Sequence, residues 1–168
     1  LSLNRKKIQS IKDHMPDVKI IISLRNPIYR DWSAAMMHLV GFRMKKREKI
    51  SIEEMKKELN SRSVRRRGDY IAYLKKWLSV FDRDQVLIIL YDDIRDNPKY
   101  VLKRIFSHVG VDASVDSQKY PLHKIIHSHP KVPMPDEIHS MLRERYKEDI
   151  EELYELLKDK RILNWLDE

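Results

Sequence analysis

Apolar positions along this chain switch between two rhythms. The run VKIIISL, residues 18–24, is continuous and β-branched, and QVLIILY, residues 85–91, is a second run of the same kind. Runs without polar alternation predict strands buried on both faces, as in a parallel sheet. Elsewhere the spacing is helical. Ile8, Ile11 and Met15 share one face of a helix over residues 4–15, closed by Pro16. Asn26 and Pro27 supply a cap and a first turn for a helix from 27 to 40 with its stop at Gly41. Ser51 and Glu54 form a capping box for residues 52–60. Ile71, Leu74, Trp77, Leu78 and Phe81 mark a helix over 69–81. Asn97 and Pro98 open another, facing the core with Val101, Leu102, Ile105, Phe106 and Val109 and stopping at Gly110. Residues 136–158 are helical, with a break expected near Lys147, and ILNWL closes the chain. Trp77, Trp165 and Phe106 read as core.

Strands alternating with helices predict an α/β fold around a parallel sheet. Two strands make a small sheet, so the 168 residues are expected to form a single domain that is part of a larger one. Residues 111–135, with Pro121, Pro130, Pro133 and Pro135, predict a long loop, a length usually reserved for function or disorder.

Composition narrows the ligand. Lys and Arg number 34 against 26 acidic residues, a net charge of +8. That balance suits an anionic partner: phosphate or sulfate groups, an acidic polysaccharide, nucleic acid or a membrane surface. The absence of cysteine excludes disulfides and thiolate metal sites and fits a reducing compartment. No apolar run approaches the roughly 20 residues of a membrane span. The first residue is leucine rather than methionine, a hint of further residues upstream.

Charge then meets the strand pattern at LRNPIYRDWSAAMMH, residues 24–38, where Arg25 stands at the mouth of a predicted strand and Ser33 follows eight positions on. A guanidinium and a hydroxyl at a strand-to-helix junction can grip an anion. They can equally be a surface ion-pair partner and an ordinary small helix residue. Asp92 and Asp93 could act as paired acid and base, but hydrogen bonding at a turn is the favoured reading. HKIIHSHP, residues 123–130, offers three histidines. With no cysteine and no HExxH spacing, a zinc site is disfavoured.

The segment LRNPIYRDWSAAMMH resembles the 3′-phosphate-binding segment of the sulfotransferases, which move a sulfuryl group from 3′-phosphoadenosine 5′-phosphosulfate (PAPS). That family pattern is a strand, then Arg, Asp or Asn, Pro, two residues, Arg, and a serine eight positions after the first arginine. Arg25, Asn26, Pro27, Arg30 and Ser33 match it. The stretch GDYIAYLKKWLSVFDRDQVLIILYDDIRDNPKYVLKRIFSHVGV, residues 68–111, resembles the family's helix, strand, Tyr-Glu-Asp-Leu, Asp-Pro, helix and glycine. The tail from residue 134 resembles the closing helices of bacterial and glycosaminoglycan-type members.

The resemblance implies a P-loop-type sulfotransferase fold, of which this chain is the carboxyl-terminal portion. It implies PAPS as donor, the bisphosphate PAP as product, and a hydroxyl or amine acceptor on a carbohydrate or small metabolite. Arg25 and Ser33 would hold the 3′-phosphate. Tyr70, after Arg65, Arg66, Arg67 and Gly68, would lie at the nucleotide or simply anchor its helix. Lys124, His127, Ser128 and His129 would belong to a loop over the PAPS phosphates, although the lysine-glycine pattern of the glycosaminoglycan enzymes is absent from it. The phosphate loop with its lysine, and the general base, are expected upstream of Leu1. A bacterial-type member would be cytoplasmic, a eukaryotic one Golgi-luminal. The rival readings are a basic nucleic-acid-binding module and a nucleotide kinase relative.

Overall fold

The computed structural model describes residues 3–44, 46, 49–62, 64, 68–112, 120–122, 124 and 132–168. In chain order these form α1 (Arg5–His14), β1 (Ile20–Leu24), α2 (Pro27–Met36) running into a π-helical turn (Met37–Phe42), α3 (Ile52–Leu59), α4 (Tyr70–Leu78), a 3₁₀ turn (Arg83–Gln85) and β2 (Val86–Leu90). Then come α5 (Tyr91–Asp96), α6 (Pro98–Val109), α7 (Asp136–Leu157) and a closing 3₁₀ segment (Lys160–Leu166). The chain divides into two compact units: residues 1–2, 26–73 and 131–168, and residues 3–25 and 74–130.

The second unit holds the sheet. β1 and β2 pair in parallel, from Ile20 opposite Val86 to Leu24 opposite Leu90, as two apolar runs separated by helices require. The register has a visible cause. Gln85, buried just before β2, donates from Nε2 to Pro16 O at 2.7 Å and Val18 O at 3.3 Å, tying the entrance of one strand to that of the other. Predicted as the first strand residue, Gln85 is instead the end of the 3₁₀ turn. In the same unit Ile8 of α1, Leu74, Trp77, Phe81 and Val101 are each buried. α6 reaches the strands with polar side chains: Arg104 donates to Ile88 O at 3.2 Å, and His108 Nε2 lies 3.1 Å from Ile20 O. Gly110 stops α6 in the left-handed conformation, φ 75°, where a Cβ would be strained.

β1 corrects one expectation. Ile22 and Leu24 are buried, but Ile21 is 41% exposed and Ser23 lies in solvent. Successive side chains point to opposite faces, and only one face of β1 is covered among the described residues. Met15 departs as well: α1 ends at His14, and Met15, with φ −137°, turns off the helical face and is 51% exposed.

The first unit is helical. α7 buries Ile138, Leu142, Tyr146, Ile150 and Leu153 along one stripe. The predicted break near Lys147 does not occur, because Tyr146 and Ile150 carry that stripe straight through while Lys147 faces water. Ile28, Trp32 and Ala35 of α2, Leu59 of α3, and Ile162 and Trp165 of the closing segment complete this core. At about 1.5–3 kcal/mol for each fully buried large side chain, the stripe decides that the helix is unbroken. The capping box is present, with Ser51 and Glu54 bonded reciprocally. Past Met36 the α2 helix widens into the π turn instead of ending at Gly41, and Arg43 N–H closes on His38 O at 3.0 Å. Trp77 and Trp165 are core as expected, whereas Phe106 is only half-buried. Among the described residues, no helix is long and apolar enough to cross a membrane.

Candidate functional site

In the second unit, the parallel register that sets Leu24 beside Leu90 delivers Arg25 and Tyr91 together at the carboxyl ends of the two strands. The Arg25 guanidinium carbon lies 4.9 Å from the centroid of the Tyr91 ring. Arg25 is half-buried, and among the described residues no carboxylate pairs with it. An arginine resting on an aromatic face keeps its in-plane N–H donors for another acceptor. The carboxyl ends of parallel strands are where open α/β sheets bind ligands. Tyr91, expected to end β2, instead begins α5. Sequence reasoning missed it as the support for Arg25. The usable signal was its register, one residue past Leu90 as Arg25 is one past Leu24.

The neighbouring carboxylates are occupied. Asp92 pairs with Arg95 at 3.1 Å and Asp93 with Arg104 at 3.9 Å, which agrees with a structural role for both rather than acid–base chemistry. Lys124, exposed, donates its backbone N–H to Pro121 O at 3.0 Å. His127, Ser128 and His129 lie outside the described residues, as do Arg65, Arg66 and Arg67. An open cleft of about 450 Å³ lies elsewhere in this unit, lined by Lys12, Pro16, Lys19, Asp82 and Gln85 among others, and it includes none of the predicted site residues. Among the described residues there is no cluster of histidines and carboxylates suited to a metal.

In the first unit, α2 presents Ser33 on its exposed side. The helix start is fixed locally and at long range by Asn26. Its Oδ1 accepts from Ile28 N–H at 3.0 Å, and its Nδ2 donates to Trp165 O and to Glu168 Oε2, both at 3.1 Å. The Tyr29 hydroxyl donates to Glu168 O at 2.7 Å. Tyr70, half-buried, is the first residue of α4, whose entry is capped by Asp69 accepting from Ala72 N–H at 3.0 Å. Arg30, the second arginine of the motif, turns inward: its Nη2 contacts Asp31 Oδ1 and donates to Val64 O at 3.2 Å.

Asp31 was not anticipated. It is fully buried, accepts from the Tyr146 hydroxyl, and lies 3.9 Å from Arg145 Nη1. Burial pushes its carboxyl above the usual carboxylate range, against the lowering effects of the Tyr146 hydrogen bond, Arg30 and Arg145. Burial, and then the bond to Asp31, likewise raise the Tyr146 hydroxyl well above an ordinary tyrosine.

Comparison with known proteins identifies the family. Residues 7–152 match the sulfotransferase domain family. The chain is 36% identical over 52 residues to human carbohydrate sulfotransferase 15, a match covering 31% of this chain and 9% of that protein. It is 32% identical over 88 residues to the membrane-associated sulfotransferase kil1 of Dictyostelium discoideum, covering 52% of this chain and 18% of that one. A solved sulfotransferase from Alicyclobacillus acidocaldarius superposes with a TM-score of 0.65 at 27% identity, over 92% of this chain and 60% of that one. This chain therefore spans less than two thirds of the length of these relatives, and it belongs to the sulfotransferase domain family, with the α/β fold of that family.

Proposed function

We propose that the protein transfers a sulfuryl group from PAPS to a hydroxyl or amine acceptor, and that this chain contributes the contacts to the donor's 3′-phosphate. The observation that carries the proposal is Arg25: it stands at a strand's carboxyl end, braced on Tyr91, with no acidic partner among the described residues. Ser33 is assigned to the same phosphate on the motif alone. Tyr70 and Lys124 remain candidates for the nucleotide and its phosphates, one on the first turn of α4 and the other exposed. The basic balance of the chain suits a donor with several negative charges. In the reaction an acceptor oxygen or nitrogen attacks sulfur, the bond from sulfur to the 5′-phosphate oxygen breaks, PAP departs, and the acceptor's proton is released. Cationic groups neutralise the leaving nucleotide as charge builds on it.

Family membership favours this reading over a nucleic-acid-binding module or a nucleotide kinase. The likeness to a protein named a carbohydrate sulfotransferase supports a carbohydrate as acceptor class.

The test is selectivity. In the full-length protein, Arg25→Ala is expected to weaken PAP binding about ten- to a hundred-fold, the equivalent of a lost charge-assisted contact of about 1.5–3 kcal/mol. Adenosine 5′-phosphosulfate, which lacks the 3′-phosphate, is expected to bind almost unchanged. Arg25→Lys restores part of the loss, because an ammonium keeps the charge without the planar fork. Isothermal titration on variants shown to be folded gives the answer. Equal losses for both ligands would make Arg25 structural and the phosphate placement wrong.

A further inference from the structure

Side chains from two helices of the first unit, α2 and α7, converge on one buried carboxylate. Asp31 sits within α2, two residues before Ser33, with no solvent exposure. One of its oxygens faces Arg30, whose Nη2 also donates to Val64 O at 3.2 Å. The other accepts from Tyr146 and faces Arg145 at 3.9 Å. Arg145 extends the network: Nη1 donates to Leu59 O at 3.0 Å and Nη2 to Asn60 Oδ1 at 2.7 Å, at the carboxyl end of α3. The Tyr146 hydroxyl is also what closes position 68 to any side chain, since a Cβ on Gly68 would stand 2.2 Å from it.

Such an arrangement is costly to assemble. A lone carboxylate withdrawn from water requires compensating donors, and removing them leaves an uncompensated buried charge. Ile28, Trp32 and Ala35 already give α2 an apolar buried face, which needs no acid within it. What the hub does geometrically is hold α2, which bears Ser33, together with the backbone at Val64 and at Gly68, two residues before Tyr70. Backbone at Val64 is held through Arg30, and backbone at Gly68 packs against the hydroxyl that Asp31 orients.

We infer that Asp31 is a positioning residue for donor binding: through Arg30 and Tyr146 it sets α2, Val64 and residues 68–70 as one preorganised surface for the nucleotide. The inference rests on the proposed donor site. It extends that site to a residue that touches no ligand and that the Arg-Asn-Pro motif does not specify. Because all of these are held by one carboxylate, loosening it disturbs them together, and nucleotide affinity falls without any ligand contact being removed.

The experiment compares Asp31→Ala, Asp31→Asn, Tyr146→Phe and, as a control, Leu153→Ala in the full-length protein. Leu153 is buried on the same helix as Tyr146 and stands apart from the hub contacts. Thermal melts, PAP titration well below each melting temperature, and amide hydrogen exchange are measured on each. PAP affinity is expected to fall at least tenfold in Asp31→Ala and less in Asp31→Asn, which keeps an oxygen for Tyr146. Exchange is expected to quicken in both residues 27–36 and residues 68–72. Leu153→Ala is expected to lower the melting temperature yet keep PAP affinity. If Asp31→Ala does not fold, Asp31→Asn and Tyr146→Phe bear the comparison. Unchanged PAP affinity in folded Asp31 variants, quickened exchange in α2 alone, or an equal affinity loss in Leu153→Ala each overturns the inference while the donor-site reading stands. Failure of the wild-type protein to bind PAP overturns both, and is recognised because it precedes any mutation.

Discussion

Asn26→Asp is a one-atom change that the wider sulfotransferase pattern tolerates and this chain should not. Asn26 is 4% exposed. An aspartate keeps the oxygen that accepts from Ile28 N–H at 3.0 Å, and its charge gains about 0.3–1 kcal/mol at the amino end of α2. It loses both Nδ2 donors, to Trp165 O and to Glu168 Oε2 at 3.1 Å. The first is worth about 1 kcal/mol, and the second, toward a carboxylate, about 1.5–3 kcal/mol before discounting for the exposure of Glu168. In place of a donor, a carboxylate then faces a carbonyl and a second carboxylate. The net expectation is a loss of about 2–3 kcal/mol, or about 5–10 °C in melting temperature for a domain of this size. The sign with pH follows. Burial beside Glu168 raises the folded-state pKa of the new carboxyl above its unfolded value. The penalty is therefore full at neutral pH and shrinks as pH falls through that folded pKa, where the protonated acid regains a donor. Paired thermal melts of wild type and variant across acid and neutral pH measure it. Equal stability at neutral pH, or a gap that widens on acidification, would refute the reasoning.

Three shorter expectations follow from the same geometry. Gly68→Ala should cost about 1–3 kcal/mol by overpacking against the Tyr146 ring and hydroxyl, and adding Tyr146→Phe should recover part of that loss, giving a non-additive cycle in urea denaturation. Tyr146, raised by burial and by its bond to Asp31, should stay protonated through the alkaline range in which a free phenol ionises, so Tyr146→Phe should leave the native alkaline absorbance curve at 295 nm unchanged. Tyr91→Leu should weaken PAP binding about two- to fivefold by removing a cation–π support worth about 0.5–1 kcal/mol, while Tyr91→Phe, which keeps the ring, should bind as wild type does.

What could be read from the sequence is what is decided within a few residues. The caps at Asn26, Ser51 and Asn97 are bonds to amides two or three positions away, so the residue type and its neighbours suffice. Gly110 is legible for the same reason. The two strands are legible because branched apolar runs fit little else, Ile20–Ile22 with Leu24 in one and Val86–Leu90 in the other, and their parallel pairing follows from the helices between them. The Arg25-to-Ser33 motif was equally visible as residues in line.

Tertiary structure decided whatever depends on a partner far along the chain. Asp31 reads as one more polar residue of an amphipathic helix, and only Tyr146, 115 positions away, makes it a buried hub. Arg30 matches the family pattern in line, and only folding shows its guanidinium taken up by Asp31 and Val64 O. Asn26 signals a cap, but nothing local reveals that its amide also holds residues 165 and 168. Lys147 hinted at a break that the buried stripe of α7 overrules, and Ile21 looked like core on a strand with only one covered face. Hydrophobic period and capping chemistry are short-range and additive along the sequence. The placement of a buried charge is not, because its cost is met or left unmet by groups that only folding brings within a few ångströms.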